Sequence, residues 1–192
     1  MAAVSDPHAH WLEAIAAGDE AMMRRVYDAY ADAVYAFALR RLAQPADAAD
    51  VLHEVMLEVW RKAGSYQGRS RVRTWLLGIA HHKVLDRLRL QTRRREREDE
   101  NADPCEQLAA TAGPQAAMAG ASDARWVRHC LEKLSATHRQ VMHLVFFQEL
   151  SYPEIAEVLQ CPVGTVKTRM LHARRRMQHC LETVGVADAL TE

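Results

Sequence analysis

The chain has 192 residues, with 25 Lys and Arg balanced by 25 Asp and Glu, and 49% of it is hydrophobic. That composition excludes a disordered chain, and no apolar run approaches the ~20 residues that a bilayer span needs. With only 8 Gly and 6 Pro, the expected fold is all-α, in one or two small domains.

The zero net charge conceals blocks of opposite sign. Residues 1–60 carry 4 basic against 10 acidic side chains, whereas residues 61–95 carry 11 against 1. A second basic block covers residues 136–181, with 6 against 3. Two basic blocks flanked by acidic ones suit two separate nucleic-acid surfaces. Cys105, Cys130, Cys161 and Cys180 lie far apart, none in C-x-x-C spacing, and read as free thiols in a reducing compartment. No His or Cys pair has a third ligand at a metal-binding interval, so no metal site or cofactor is expected. No signal peptide is visible, and the expected location is cytoplasmic.

In chain order, residues 1–10 read as a loose start. Helical spacing predicts a short helix over 11–17 and, after Gly18-Asp19, a long one over 20–42. Tyr27, Tyr30, Val34, Phe37 and Leu42 keep three- and four-residue steps, the pattern of core packing. Residues 47–62 predict a helix with acids in its first turn and bases in its last, as the helix dipole favours. One half of it is apolar through Val51, Leu52, Val55, Met56, Val59 and Trp60. The polar half holds Asp50, His53, Glu54, Glu58 and Arg61, with Leu57 among them. An exposed Leu ringed by acids is ordinary surface or a docking face for a partner helix.

Residues 64–73 form an expected loop, GSYQGRSRVR, with one aromatic and three arginines. It runs into a helix over 74–89 with a basic face and an apolar stripe at Leu76, Ile79, Val84 and Leu88. Bases interleaved with aromatics suit unpaired DNA, because rings stack on bases while Arg and Lys hold phosphates. His81, His82 and Asp86 invite a catalytic reading, but adjacent histidines on a helix point about 100° apart and cannot easily converge. Residues 96–122 are acidic and poor in large apolar groups, and read as a flexible linker. Beyond it, Trp126, Val127, Cys130, Leu131 and Leu134 mark one helix. Val141, Met142, Leu144, Val145 and Phe146 mark the core of the next, which starts at Ser135.

Residues 151–177 predict two helices joined by a tight corner. Ser151 and Glu154 make an S-x-x-E capping box. Pro162 ends one helix and is tolerated at the start of the next. In the second helix Val166, Met170, Ala173 and Met177 share a side. Thr168, Leu171, His172 and Arg175 lie opposite, flanked by Lys167 and Arg169. An apolar back and a basic, hydroxyl-bearing front suit a helix laid in the major groove.

Taken together, the runs DAADVLHEVMLEVW, YQGRSRVRTWLLGIAHHKVLDRLR and LSYPEIAEVLQCPVGTVKTRMLHARRRM resemble the extracytoplasmic-function sigma factors of bacterial RNA polymerase, of the sigma-70 family. The resemblance implies three parts: a region 2-like domain over 11–95, a linker over 96–122 and a region 4-like helix-turn-helix domain over 123–181. It implies that Asp50, His53, Glu54 and Leu57 dock on the coiled coil of the polymerase largest subunit, with the flap as a further polymerase contact. Tyr66, Arg69, Ser70, Arg71, Arg73, Trp75, His82, Lys83 and Arg87 would recognise and melt the −10 element, with an extruded base held by the loop over 66–71. Thr165, Lys167, Thr168, Arg169, Leu171, His172 and Arg175 would read the −35 element. The implied partners are core polymerase, promoter DNA and an anti-sigma factor that could hold the chain at a membrane it does not itself enter. His53, His82 and His172 depart from the family pattern, so base preference does not transfer. The alternative is a stand-alone helix-turn-helix regulator that binds duplex DNA without polymerase, against which the basic, aromatic block over 61–95 argues. A nucleic-acid enzyme built on His81, His82 and Asp86 lacks a ligand set, and no catalytic residue is assigned.

Overall fold

The computed structural model describes residues 6–100 and 122–189, with side chains over 6–93 and 125–184. The chain divides into two compact units, residues 1–114 and 115–192. The expected acidic linker lies mostly outside the described residues.

The first unit is built from α1 (Ala9–Ala16), α2 (Glu20–Leu42), α3 (Pro45–Lys62) and α4 (Val72–Glu100). Asp19 caps α2, its carboxylate accepting the N–H groups of Ala21 and Met22, which satisfies two of the donors a helix start leaves open. Ala43 ends α2 in the left-handed conformation at φ +59°, and Pro45 then takes the first turn of α3. α2, α3 and α4 pack on one another. Val26, Val34 and Phe37 from α2 meet Val51, Val55 and Val59 from α3 and Leu76, Leu77 and Val84 from α4, all of them buried.

The second unit contains α5 (Ser122–Glu132), α6 (Ala136–Phe146), α7 (Tyr152–Leu159) and α8 (Val163–Ala189). The capping box read from Ser151 and Glu154 is present: the Glu154 carboxylate accepts both the N–H and the hydroxyl of Ser151, at 2.9 and 2.6 Å. At the corner, Gln160 adopts φ +50°. The Cys161 N–H reaches back to the Ala156 carbonyl at 3.0 Å, closing α7. The Pro162 carbonyl accepts from Thr165 and Val166 and so starts α8.

Several expectations change. The start of the chain is not loose from residue 6 onward: α1 begins at Ala9, and Asp6 and His8 are hydrogen-bonded. α4 begins at Val72 rather than 74 and runs past 89 to Glu100. Tyr27 and Phe146, placed in the core by spacing, are 46% and 56% exposed. Each keeps its helix's apolar spacing but turns to the surface of its unit. Val127 and Trp60 are likewise exposed. Cys130 and Cys180 are not free thiols: they form a disulfide between α5 and α8, with Cα atoms 5.7 Å apart. The bond packs beside Leu134, Ala173 and Met177. Cys161 is free, and Cys105 lies outside the described residues.

The disulfide closes a loop with a sequence separation of 50. Loop-closure entropy then predicts that a Cys130→Ala/Cys180→Ala variant loses about 2–4 kcal/mol of unfolding free energy. Hydrogen exchange of α5 and α8 under native conditions should report it. A second prediction concerns His81, which is 7% exposed and has its pKa pushed down to about 4, first by burial and then by Arg41 and His82. A histidine held neutral in the fold adds stability that is fully present above its unfolded pKa of ~6.5. That stability is lost as pH falls through 6.5 toward 4. Denaturant unfolding at pH 7 and pH 5 should differ by about 2 kcal/mol, and His81→Leu should flatten that dependence.

Candidate nucleic-acid interface

The front of α8 is set by its back. Val166, Met170 and Ala173 are at most 1% exposed and Met177 8%, so the 3.6-residue repeat turns Lys167, Thr168, Leu171, His172 and Arg175 outward. Leu171 is 49% exposed, an apolar group suited to a thymine methyl. The Thr168 hydroxyl donates to the Gly164 carbonyl at 3.0 Å. Thr165 and Arg169 are half-buried on one flank, with the Arg169 guanidinium 4.0 Å from the Cys161 sulfur.

Spacing alone missed His138 on this flank. It lies in the first turn of α6, its ring 6.2 Å from that of His172. Its pKa is lowered by burial and then by Arg176, His172 and Arg169. His138, Arg169, His172 and Arg176 thus reach one patch, although 138 to 176 spans most of the domain in sequence. Only the folded packing of α6 against α8 brings it together.

The loop before α4 has a defined shape. A short 3-10 turn (Ala63–Ser65) leads into it, and Gly68 takes φ +63°, a conformation that disfavours any side chain. The Tyr66 hydroxyl donates to the Ser70 carbonyl at 2.6 Å, closing the loop on itself. The Tyr66 ring meets Trp75 edge-on at 5.6 Å. Arg69 and Arg71 are exposed, and Arg73 and Trp75 are half-buried beside them. This is an aromatic pair rimmed by guanidinium groups, chemistry that suits one unpaired base and its phosphates. Farther along, His82 is exposed and Lys83 half-buried.

Two residues do not fit the expected contact with DNA. Ser70 is 6% exposed, so its place is to hold the loop. Arg87 faces α3 instead of solvent. Its guanidinium lies 3.3 Å from Asp47, 3.2 Å from Asp50 and 2.9 Å from Glu54. The hydrogen bond to Glu54 and its charge hold the guanidinium still more firmly protonated. Lys83 joins this seam at 3.7 Å from both Glu54 and Glu58. The seam therefore links residues read as DNA contacts to residues read as polymerase contacts. On the outer side of α3, His53 is exposed and Leu57 is 41% exposed. Trp60, on the same helix, lines a shallow groove with Met23, Arg24 and Tyr27 of α2.

Among the described residues no group of three or more His, Cys, Asp or Glu is placed to hold a metal ion. No helix among them is long and apolar enough to cross a membrane.

Residues 26–94 match Sigma-70 region 2, and residues 124–177 match Sigma-70, region 4. Over 176 residues the chain is 31% identical to the ECF RNA polymerase sigma factor SigK of Mycobacterium tuberculosis strain H37Rv, covering 89% of this chain and 91% of that one. The SigK of Mycobacterium ulcerans is 31% identical over 172 residues, with the same coverage. The sigma factor RpoE of Bartonella quintana, solved with the anti-sigma factor NepR, superposes with a TM-score of 0.61 at 26% identity, covering 83% of this chain and 96% of that chain. CnrH, solved with the cytosolic domain of CnrY, shares the fold with a TM-score of 0.62 at 20% identity, covering 92% and 97%. With both regions matched in order, and a relative of this identity over nearly the whole length, the chain belongs to the extracytoplasmic-function sigma factors of the sigma-70 family.

Proposed function

We propose that this sigma factor reads its promoters with two separate surfaces and docks on polymerase with a third. The observation that carries the reading is the pair of exposed basic faces, one on each unit, each backed by a buried apolar stripe. Lys167, Thr168, Leu171, His172 and Arg175 contact the upstream element in the major groove, with Thr165 and Arg169 on the flank. Arg69, Arg71 and Arg73 hold the strand that Tyr66 and Trp75 unstack, with His82 and Lys83 beyond them. Asp50, His53, Glu54 and Leu57 meet a basic partner helix of core polymerase, and the second unit meets the flap. Asp50 and Glu54 already hold Arg87, and Glu54 also meets Lys83, so docking adds a cation to a seam that has two. The chain carries out no reaction of its own; polymerase supplies the chemistry. It works in the cytoplasm, where an anti-sigma factor covers the same surfaces; the RpoE of Bartonella quintana, similar in fold, is in complex with the anti-sigma factor NepR.

Transcription by core polymerase from a randomised promoter library, with wild-type chain and with the variants Lys167→Ala and His172→Arg, tests this. Each good base contact is worth ~1–3 kcal/mol. Each variant should therefore change base preference in the upstream element by roughly five- to a hundredfold and leave the downstream preference as it was. An unchanged upstream preference in both variants would remove α8 as the reader.

A further inference from the structure

The segment ahead of α1 does something that neither its composition nor its place at the chain's beginning announces. α4 opens with Val72-Arg73-Thr74-Trp75 and has no acid in its first turn. The chain just before it, Ser70-Arg71, brings a cation to a helix end that already carries positive partial charge. Its first N–H is nevertheless satisfied. The Asp6 carboxylate accepts the Val72 N–H at 2.8 Å, from 66 residues away. Val72 is fully buried, so this donor has no water to turn to. The other Asp6 oxygen accepts the His8 N–H at 2.7 Å, and the Asp6 carbonyl accepts the Ala9 N–H at 3.2 Å. One residue thereby joins the starts of α1 and α4.

The anchor is itself fixed. The His8 ring stacks on Trp11 at 3.8 Å and 10°, and its Nδ1 shares a 2.6 Å hydrogen bond with the Tyr30 hydroxyl of α2. Tyr30 is 8% exposed, and its hydroxyl pKa is pushed up to about 12, first by burial and then by Asp6. Asp6 and Tyr30 thus both hold His8, one at its backbone N–H and the other at its ring. Tyr66 is the residue whose hydroxyl closes the loop on Ser70, two residues before Val72. A shift of the α4 start would be felt directly at that closure.

We propose that Asp6 is a positioning residue for the −10 step: by capping α4 from the far end of the unit, it holds the loop over 66–71 and the Tyr66–Trp75 pair in the shape that takes an unpaired base. This deepens the functional reading above and rests on it. Asp6 itself touches no DNA. Two acceptors are needed at once, one for Val72 and one for His8. Asn offers only one, so Asp6→Asn falls between wild type and Asp6→Ala.

The test uses core polymerase loaded with full-length chain and two DNA pools, a single-stranded pool randomised over the −10 stretch and a duplex pool randomised over the −35 stretch. Enrichment is read by sequencing. The ratio between favoured and disfavoured sequences does not depend on how much chain is folded, so a loss of stability alone would leave it unmoved. Asp6→Ala should compress the single-stranded preference by roughly threefold to tenfold, a part of what a base stacked on an aromatic ring contributes, with Asp6→Asn intermediate and the duplex preference unchanged in both. A full single-stranded preference in Asp6→Ala overturns the proposal and leaves the sigma reading intact. Compression of both pools to the same degree overturns it as well, since the effect would not belong to the loop. If wild-type chain confers no preference on either pool, the sigma reading fails and the proposal goes with it.

Discussion

Arg87 sets the relation between the two working helices of the first unit. Its guanidinium meets Asp47, Asp50 and Glu54 of α3, and the Gln91 amide donates to Asp47 one turn farther along α4. These groups are partly exposed, so each ion pair contributes at most about 1 kcal/mol. The energy of the unit comes from the buried valines and leucines of α2, α3 and α4. What the seam adds is register: an apolar stripe of Val and Leu tolerates a turn of slippage, whereas one cation among three carboxylates does not. The loop that precedes α4 is thereby held at a fixed place relative to the outer face of α3. The surface read as meeting polymerase and the surface read as meeting DNA are two sides of one rigid pair.

The second unit solves the same problem differently. Its first and last helices are joined covalently, Cys130 of α5 to Cys180 of α8, and Leu134, Ala173 and Met177 pack beside the bond. The front of α8 is exposed because its back is committed to that core. His138 shows how far the presented surface depends on tertiary packing, since a residue of another helix sits against the exposed His172.

Much of this was legible in the chain. The start of α2 read directly, because Gly18-Asp19 interrupts the helical spacing just before it, and that signal is local. The capping box at Ser151 and the four-residue stripe of α8 are equally local and were equally readable. Other features are not local, and spacing was silent on them. Cys130 and Cys180 look unrelated until α5 lies against α8. Tyr27 and Phe146 keep core periodicity, yet both are exposed, and periodicity gives the direction of a side chain without saying what it meets. Arg87 reads in sequence as a DNA contact because its three acids stand 33 to 40 positions earlier. Asp6 looked like part of a loose start, because the donor it satisfies is 66 residues on. In the candidate site, the outward residues of α8 were found from sequence, whereas the assignments of Ser70 and Arg87 needed the fold.

Two basic faces on separate units, each bordered by acids, predict that neither unit alone grips a promoter well. Carried together on polymerase, the second contact becomes intramolecular and joint binding rises by effective concentration. The direct measurement is equilibrium binding of a duplex carrying both elements to the chain alone and to the chain with core polymerase, at one fixed salt concentration. The account predicts weak, sequence-indifferent binding by the chain alone. With core polymerase, affinity should be at least a hundredfold higher and lost when either element is scrambled. Tight, sequence-specific binding by the chain alone, unchanged by polymerase, would contradict it and make the chain a stand-alone DNA-binding regulator.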